Sequence, residues 1–233
     1  MLPKIRNLAL RPRSGAVALA ILITLSISGT ASAAVPVPAL LGTSAQTYVN
    51  LAQAFSRTDG RTDFTVKFQL RQSSAATLNV ANHAVASTIR CRDCGAFAIG
   101  FQVVVAAKQD LVTLNADNTA DATSYACIRC STLAAAYQII FVSDSPRLTW
   151  EQIWGLAQVR SELQVLRYSG LDPDQVQSRA DALANRAVSI LRDSPDQAPV
   201  FSPAINGSAR PAQLTENSGP FVDLFIKVQK QNG

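Results

Sequence analysis

Four cysteines carry most of the chemistry open to this chain. They form two C-x-x-C pairs, Cys91/Cys94 and Cys127/Cys130, and each cysteine of the first pair has its counterpart 36 residues on. Three chemistries suit that spacing. The first is disulfide bonding within each pair, Cys91–Cys94 and Cys127–Cys130, which fits a chain bound for an oxidising compartment. The second is one metal site built from all four thiolates, because two knuckles of the Cys91-Arg92-Asp93-Cys94-Gly95 kind supply the tetrahedral sulfur set that zinc accepts. The third is a redox-active dithiol. That chemistry favours a helix N-terminus, where the dipole lowers the thiol pKa, and both flanks of these pairs read as strands. Disulfides take precedence, zinc is the alternative, and a thiol-disulfide oxidoreductase comes third.

Other catalytic groups are sparse. His83 is the single histidine, and its counterpart in the second pair's repeat is Thr119, which suits a surface imidazole. No H-E-x-x-H, G-x-S-x-G or phosphate loop occurs. Asp117 and Asp121 sit on the freely varying face of a strand, where solvation explains them better than paired acid–base work. The expectation is therefore a protein without a catalytic constellation and with no cofactor unless zinc is held.

The elements that position the cysteines come from a tandem duplication. Shifted by 36 residues, Leu78-Asn79 falls on Leu114-Asn115, Asn82 on Asn118, Ala84 on Ala120, Ala86 on Ala122, and, beyond the cysteines, Ala98 on Ala134 and Gln102 on Gln138. A match at such a period marks a repeated supersecondary unit. Before the cysteines, every second position is held and the intervening ones drift, as in a strand with one packed face. After them, Phe97, Ile99, Phe101, Val103 and Val105 alternate with Ala96, Ala98, Gly100 and Gln102. Each unit thus reads as strand, C-x-x-C bend, strand. Two copies suit a pseudo-symmetric pair of cysteine-tipped β-hairpins better than a solenoid. Asn82, Asn118, Gln102 and Gln138 are expected to be polar ties inside the packed sheet, since buried amides need partners.

Upstream, two alternating segments flank Arg57-Thr58-Asp59-Gly60-Arg61, a strong hairpin signal. Downstream, the period changes. Thr149-x-x-Gln152 is a capping box, and Ile153, Leu156, Leu163 and Leu166 form a helical stripe that Gly170 ends. Asp172-Pro173 starts a second helix as N-cap and first residue. Helices over about 150–168 and 173–192, joined by a short link, form an antiparallel pair suited to covering the sheet. Residues 194–233 read as a linker followed by a short apolar segment.

The N-terminus reads as a cleavable signal peptide over residues 1–33. Lys4, Arg6, Arg11 and Arg13 precede an apolar stretch of about 12 residues and the small-residue site Ala31-Ser32-Ala33. That core is shorter than the roughly 20 residues a spanning helix needs, and no later segment is apolar enough to span. The chain carries a net charge of +5. Four of its 21 basic residues leave with the signal, so 17 remain against 16 acidic ones. No clustered basic face survives to bind nucleic acid. The expected location is secreted or extracytoplasmic, associated with the cell envelope.

The run from Ala54 to Gly60, the Phe64–Arg71 strand, the tandem N-x-A-x-A…C-x-x-C…Q-[VI]-[VI] units and the helical pair over 150–192 resemble a group of exported bacterial proteins of uncharacterised role. Similar modules occur at the extracytoplasmic end of membrane proteins labelled peptide zinc metalloproteases. The resemblance covers about residues 45–192, and the protease's H-E-x-x-H is missing here, so no proteolytic residue carries over. The reading is an α+β fold: an antiparallel sheet or small sandwich on two C-x-x-C-tipped hairpins, followed by a helical hairpin. The function expected is a non-catalytic binding or assembly module, with a protein partner or self-association.

Overall fold

A computed structural model describes residues 44–144, 146–192, 200–201, 204–205 and 221–232. The expected signal peptide and most of the expected linker lie outside the described residues. Six strands come first: β1 (Ala45–Ser56), β2 (Thr62–Ser73), β3 (Thr77–Ile89), β4 (Gly95–Ala107), β5 (Thr113–Tyr125) and β6 (Ser131–Ser143). Helix α1 (Trp150–Val165) runs into a 3-10 turn (Leu166–Tyr168), and α2 (Pro173–Arg192) follows. Two short strands, β7 (Val200–Phe201) and β8 (Ala204–Ile205), precede β9 (Phe221–Asn232).

The fold is α+β, but the strands pair differently from the expected hairpins. The two arms of a unit do not bond to each other. The order β1-β3-β5 makes one sheet and β2-β4-β6-β9 the other, and all pairs among β1 to β6 are parallel. Each bend therefore carries the chain from one sheet to the sheet stacked on it. The short returns at 74–76 and 108–112 bring it back one rung higher. Register between the second and third rungs is the sequence period itself: Leu78 lies beside Leu114, Asn82 beside Asn118, Ala98 beside Ala134 and Gln102 beside Gln138. The physical reason is that the strand edges of a rung leave backbone N–H and C=O groups unpaired until a like rung stacks on them. An arch and a hairpin share the same period-two alternation, so alternation alone does not separate them.

The upstream Asp59-Gly60 segment is likewise an arch, not a hairpin, and β1–β2 form a first rung without cysteines. Among the described residues three rungs make a short solenoid, so the expectation that the repeat is too short for one is corrected. The one antiparallel pairing among these strands is β9 on β6, which closes the last rung in the larger sheet.

Near the cysteine bends the residues between the sheets are small, whereas Leu78, Val80, Val104 and Ile140 fill the other end. Ala52, Ala54, Ala84, Ala86, Ala96, Ala98, Ala120, Ala122, Ala134 and Ala136 form the buried small-residue cluster. A Cβ built on Gly100 would stand 2.8 Å from the Asn82 Oδ1 and 3.1 Å from the His83 carbonyl oxygen, so glycine permits this close approach. The opposite face of β4 and β6 is bulky. Phe97, Ile99, Phe101, Leu133, Tyr137 and Ile139 pack there with Leu156, Leu163, Ala180 and Leu191 of the helices. Phe68, Phe101 and Tyr137 stack rung upon rung at 5.5 and 5.7 Å between ring centroids. Each fully buried side chain of this size contributes about 1.5–3 kcal/mol, so this outer layer is the main hydrophobic core.

The helices start where their caps dictate. Gln152 N donates to Thr149 Oγ1 at 3.2 Å and Thr149 N to Gln152 Oε1 at 2.9 Å. Gln175 N donates to Asp172 Oδ1 at 2.8 Å and Asp172 N to Gln175 Oε1 at 3.3 Å. Both ends therefore satisfy donors that a helix cannot satisfy internally. Leu156 and Leu163 are buried, whereas Ile153 stays 40% exposed. The stripe expected to include Ile153 thus faces the sheet only in part.

Candidate functional site

The two cysteine bends lie on top of each other because their strands do. Ile128 N donates to Cys91 O at 3.1 Å, Asp93 N to Ile128 O at 2.9 Å, and Ser131 N to Cys94 O at 3.0 Å. Their backbones are alike as well. Arg90 and Asp93 in the first bend, and Ala126 and Arg129 in the second, all hold φ between 50° and 54°. None is glycine, so each position costs about 1 kcal/mol or more and needs surrounding structure to hold it. One brace is visible at the surface: the Arg129 guanidinium donates to both Asp93 oxygens at 2.5 and 2.6 Å. That hydrogen bond, with the positive charge behind it, holds the Asp93 carboxyl below its ordinary range. The brace is present above the usual carboxyl pKa and is lost as pH falls through the lowered one.

The first rung seats on this pair with a shorter, cysteine-free bend. Gly60 N donates to Arg92 O at 2.9 Å and Arg92 N to Asp59 Oδ1 at 2.8 Å. Ser56 Oγ closes the bend on Arg61 O at 2.9 Å. The Asp-Gly signal is used here to stack on a neighbour.

Stacking brings the four sulfurs together, all within 4.8 Å of one another. Cys91 and Cys94 are joined as a disulfide, while Cys127 and Cys130 are free thiols. Across the rungs, Cys94 Sγ lies 2.9 Å from Cys130 Sγ, and Cys91 Sγ lies 3.8 Å from Cys127 Sγ and 3.9 Å from Cys130 Sγ. Cys91, Cys94 and Cys130 are buried and Cys127 is half-buried. The two free thiols differ. Burial works against ionisation of Cys127, but hydrogen bonds from Thr88, the Cys91 backbone and Cys130 outweigh it and lower its pKa. Burial, followed by the Cys127 neighbour, pushes the Cys130 thiol up.

The donor set suits a soft tetrahedral ion. Four thiolates around zinc at about 2.3 Å would stand about 3.8 Å apart. Two cross-rung separations already have that value. Binding would require reduction of Cys91–Cys94 and a wider Cys94–Cys130 spacing. The four cysteines could therefore hold a metal or form disulfides.

The four amides expected as polar ties lie in two ladders that run across the rungs. Asn50 Nδ2 donates to Asn82 Oδ1 at 2.8 Å, and Asn82 Nδ2 to Asn118 Oδ1 at 2.9 Å. Gln102 Nε2 donates to Gln69 Oε1 at 2.7 Å, and Gln138 Nε2 to Gln102 Oε1 at 2.8 Å. Asn50 and Gln69 are the first-rung members that the sequence reading missed. They lie 32 and 33 residues before their partners, so a shift of 36 does not find them. His83 is on the outer face of the smaller sheet, with Nδ1 2.5 Å from Thr119 Oγ1 and Nε2 3.9 Å from Asp117 Oδ2. Neither it nor the carboxylates approaches the sulfurs among the described residues.

No family model, curated protein or solved structure matches this chain. No described helix is long and apolar enough to cross a membrane.

Proposed function

We propose that the protein is an exported, non-catalytic binding or assembly module of the cell envelope, held at its bends by a cysteine clasp. The observation carrying this reading is the direction in which the reactive groups face. The sulfurs of one bend meet the sulfurs of the next, and the buried amides meet amides one rung away. Groups consumed in holding rungs together leave the surfaces to do the binding. The N-terminal leader and the resemblance to exported modules support the location. In an oxidising compartment the second pair also closes, giving Cys91–Cys94 and Cys127–Cys130.

A four-cysteine zinc site is the second reading, favoured by the convergence of all four sulfurs from two bends. Mass spectrometry of the unreduced, iodoacetamide-treated protein, together with metal analysis, separates the two. The clasp of disulfides predicts four blocked cysteines and no metal. If Cys127 and Cys130 remain free, Cys127 alkylates first, because it is the more exposed and more acidic thiol. One zinc per chain, with four thiols released by chelation, would overturn the disulfide clasp in favour of metal. Thiols that cycle with a reductant would instead make the bends an oxidoreductase site.

A further inference from the structure

We propose that the groove between β2 and α1 takes an extended acidic peptide strand from a partner protein. This deepens the reading of the protein as a binding module and rests on it. Strand β2 ends its sheet: β4 pairs with one side, and no strand pairs with the other among the described residues. Val66 O accepts from Gln164 Nε2 of α1 at 3.5 Å, so that carbonyl points to the open side. Successive residues of a strand alternate their backbone groups between its two edges. Phe68 and Leu70 therefore present N–H and C=O on the same open side as Val66. Their side chains form one wall of a cavity of about 400 Å³, with Ile153, Leu156 and Ala157 of α1 opposite. An unpaired backbone edge running beside an apolar trough is the arrangement that strand addition uses.

Charge selects the occupant. Arg71 and Arg160 line the cavity, and no acidic residue does. Lys67 and Arg71 lie on the face of β2 that points toward β1, where β4 and β6 carry Gly100, Val104 and Ile140. Lys67, Arg71 and Arg160 are exposed and form no ion pair among the described residues. Inward-pointing charges on an edge strand resist pairing with a neutral strand, which would bury them unpaired. A strand with apolar side chains toward α1 and carboxylates toward Lys67 and Arg71 removes that objection. The same charges that guard the edge against indiscriminate pairing thus admit an acidic partner. Trp150 and Trp154, three residues before and one after Ile153, are 66% and 54% exposed and extend the apolar side of α1 beyond the trough.

The test uses the full chain, labelled with nitrogen-15, and a blocked seven-residue peptide alternating valine and glutamate. Amide shifts are expected in β2 and α1. A valine–lysine peptide should not produce them, and Arg71→Glu or Ala157→Trp should weaken binding by about tenfold or more. Methylating alternate peptide nitrogens should abolish binding in one phase and spare it in the other. Equal binding of both peptides, or no shift in β2 and α1 at millimolar peptide, would overturn the proposal. Shifts confined to another surface would overturn the groove while leaving the binding-module reading standing. Shifts that depend on protein concentration alone would assign the groove to a second copy and overturn the acidic partner.

Discussion

Replacing Asn82 by aspartate should destabilise the protein by about 3–5 kcal/mol at neutral pH, the cost of an uncompensated buried charge. The side chain is fully buried between the sheets. Its Nδ2 faces three acceptors: Asn118 Oδ1 at 2.9 Å, Tyr137 O at 3.0 Å and Gly100 O at 3.2 Å. Aspartate has almost the same shape, so packing hardly changes. What changes is that a carboxylate puts an acceptor against acceptors and a negative charge in a dry interior. The group answers by holding its proton, so its folded pKa rises above the unfolded value. The variant's stability is then greatest below the ordinary aspartate pKa and is lost as pH rises through the raised one. Urea unfolding of both proteins across pH checks this. A variant with wild-type stability at pH 7 would show that the amide ladder is not formed.

The second large effect concerns the clasp. A bridge between Cys91 and Cys94 closes a very short loop, so loop entropy alone predicts little stabilisation from it. The structure places its value elsewhere, in holding four left-handed residues and in coupling one rung to the next. Serine at all four positions is therefore expected to cost about 2–5 kcal/mol, as loss of a native bridge commonly does. The sharper readout is coupling. Cys94→Ser and Cys130→Ser belong to different pairs but adjoin in space. Their effects in a double-mutant cycle should miss additivity by about 1–3 kcal/mol. Additive effects would mean two independent bends.

Much of this architecture is legible in the sequence, and the reason is the duplication. Two copies of one unit reveal which positions tolerate change, so the held Asn82, Ala84 and Ala86 mark the packed face and the drifting His83 and Val85 the other. The capping residues Thr149, Gln152 and Asp172 fix the helix starts through hydrogen bonds closed within each first turn. Strand partners were not legible. Phe97 and Ile99 alternate with Ala96 and Ala98 whether the preceding arm lies beside them in the sheet or beneath them in the next one. The C-x-x-C bend is short enough for either. The first rung escaped notice because Asp59-Gly60 replaces the cysteines and its strands run 32 and 33 residues out of step with the second rung. Its real signature was Asn50 and Gln69, two amides at the places the ladders require. The groove beside β2 was likewise hidden, since nothing in Phe68 or Leu70 states that the strand ends a sheet.

Parallel stacking of like rungs underlies the clasp, the ladders and the open edge of β2 together. Nuclear Overhauser contacts between backbone protons of the labelled protein test it most directly. Stacked rungs predict cross-strand contacts between residues 36 apart, such as Ala84 with the Ala120 segment and Ala98 with the Ala134 segment. Close Hα–Hα contacts mirrored about Arg92 and Asp93, with Ala86 opposite Ile99, would show hairpins and contradict it.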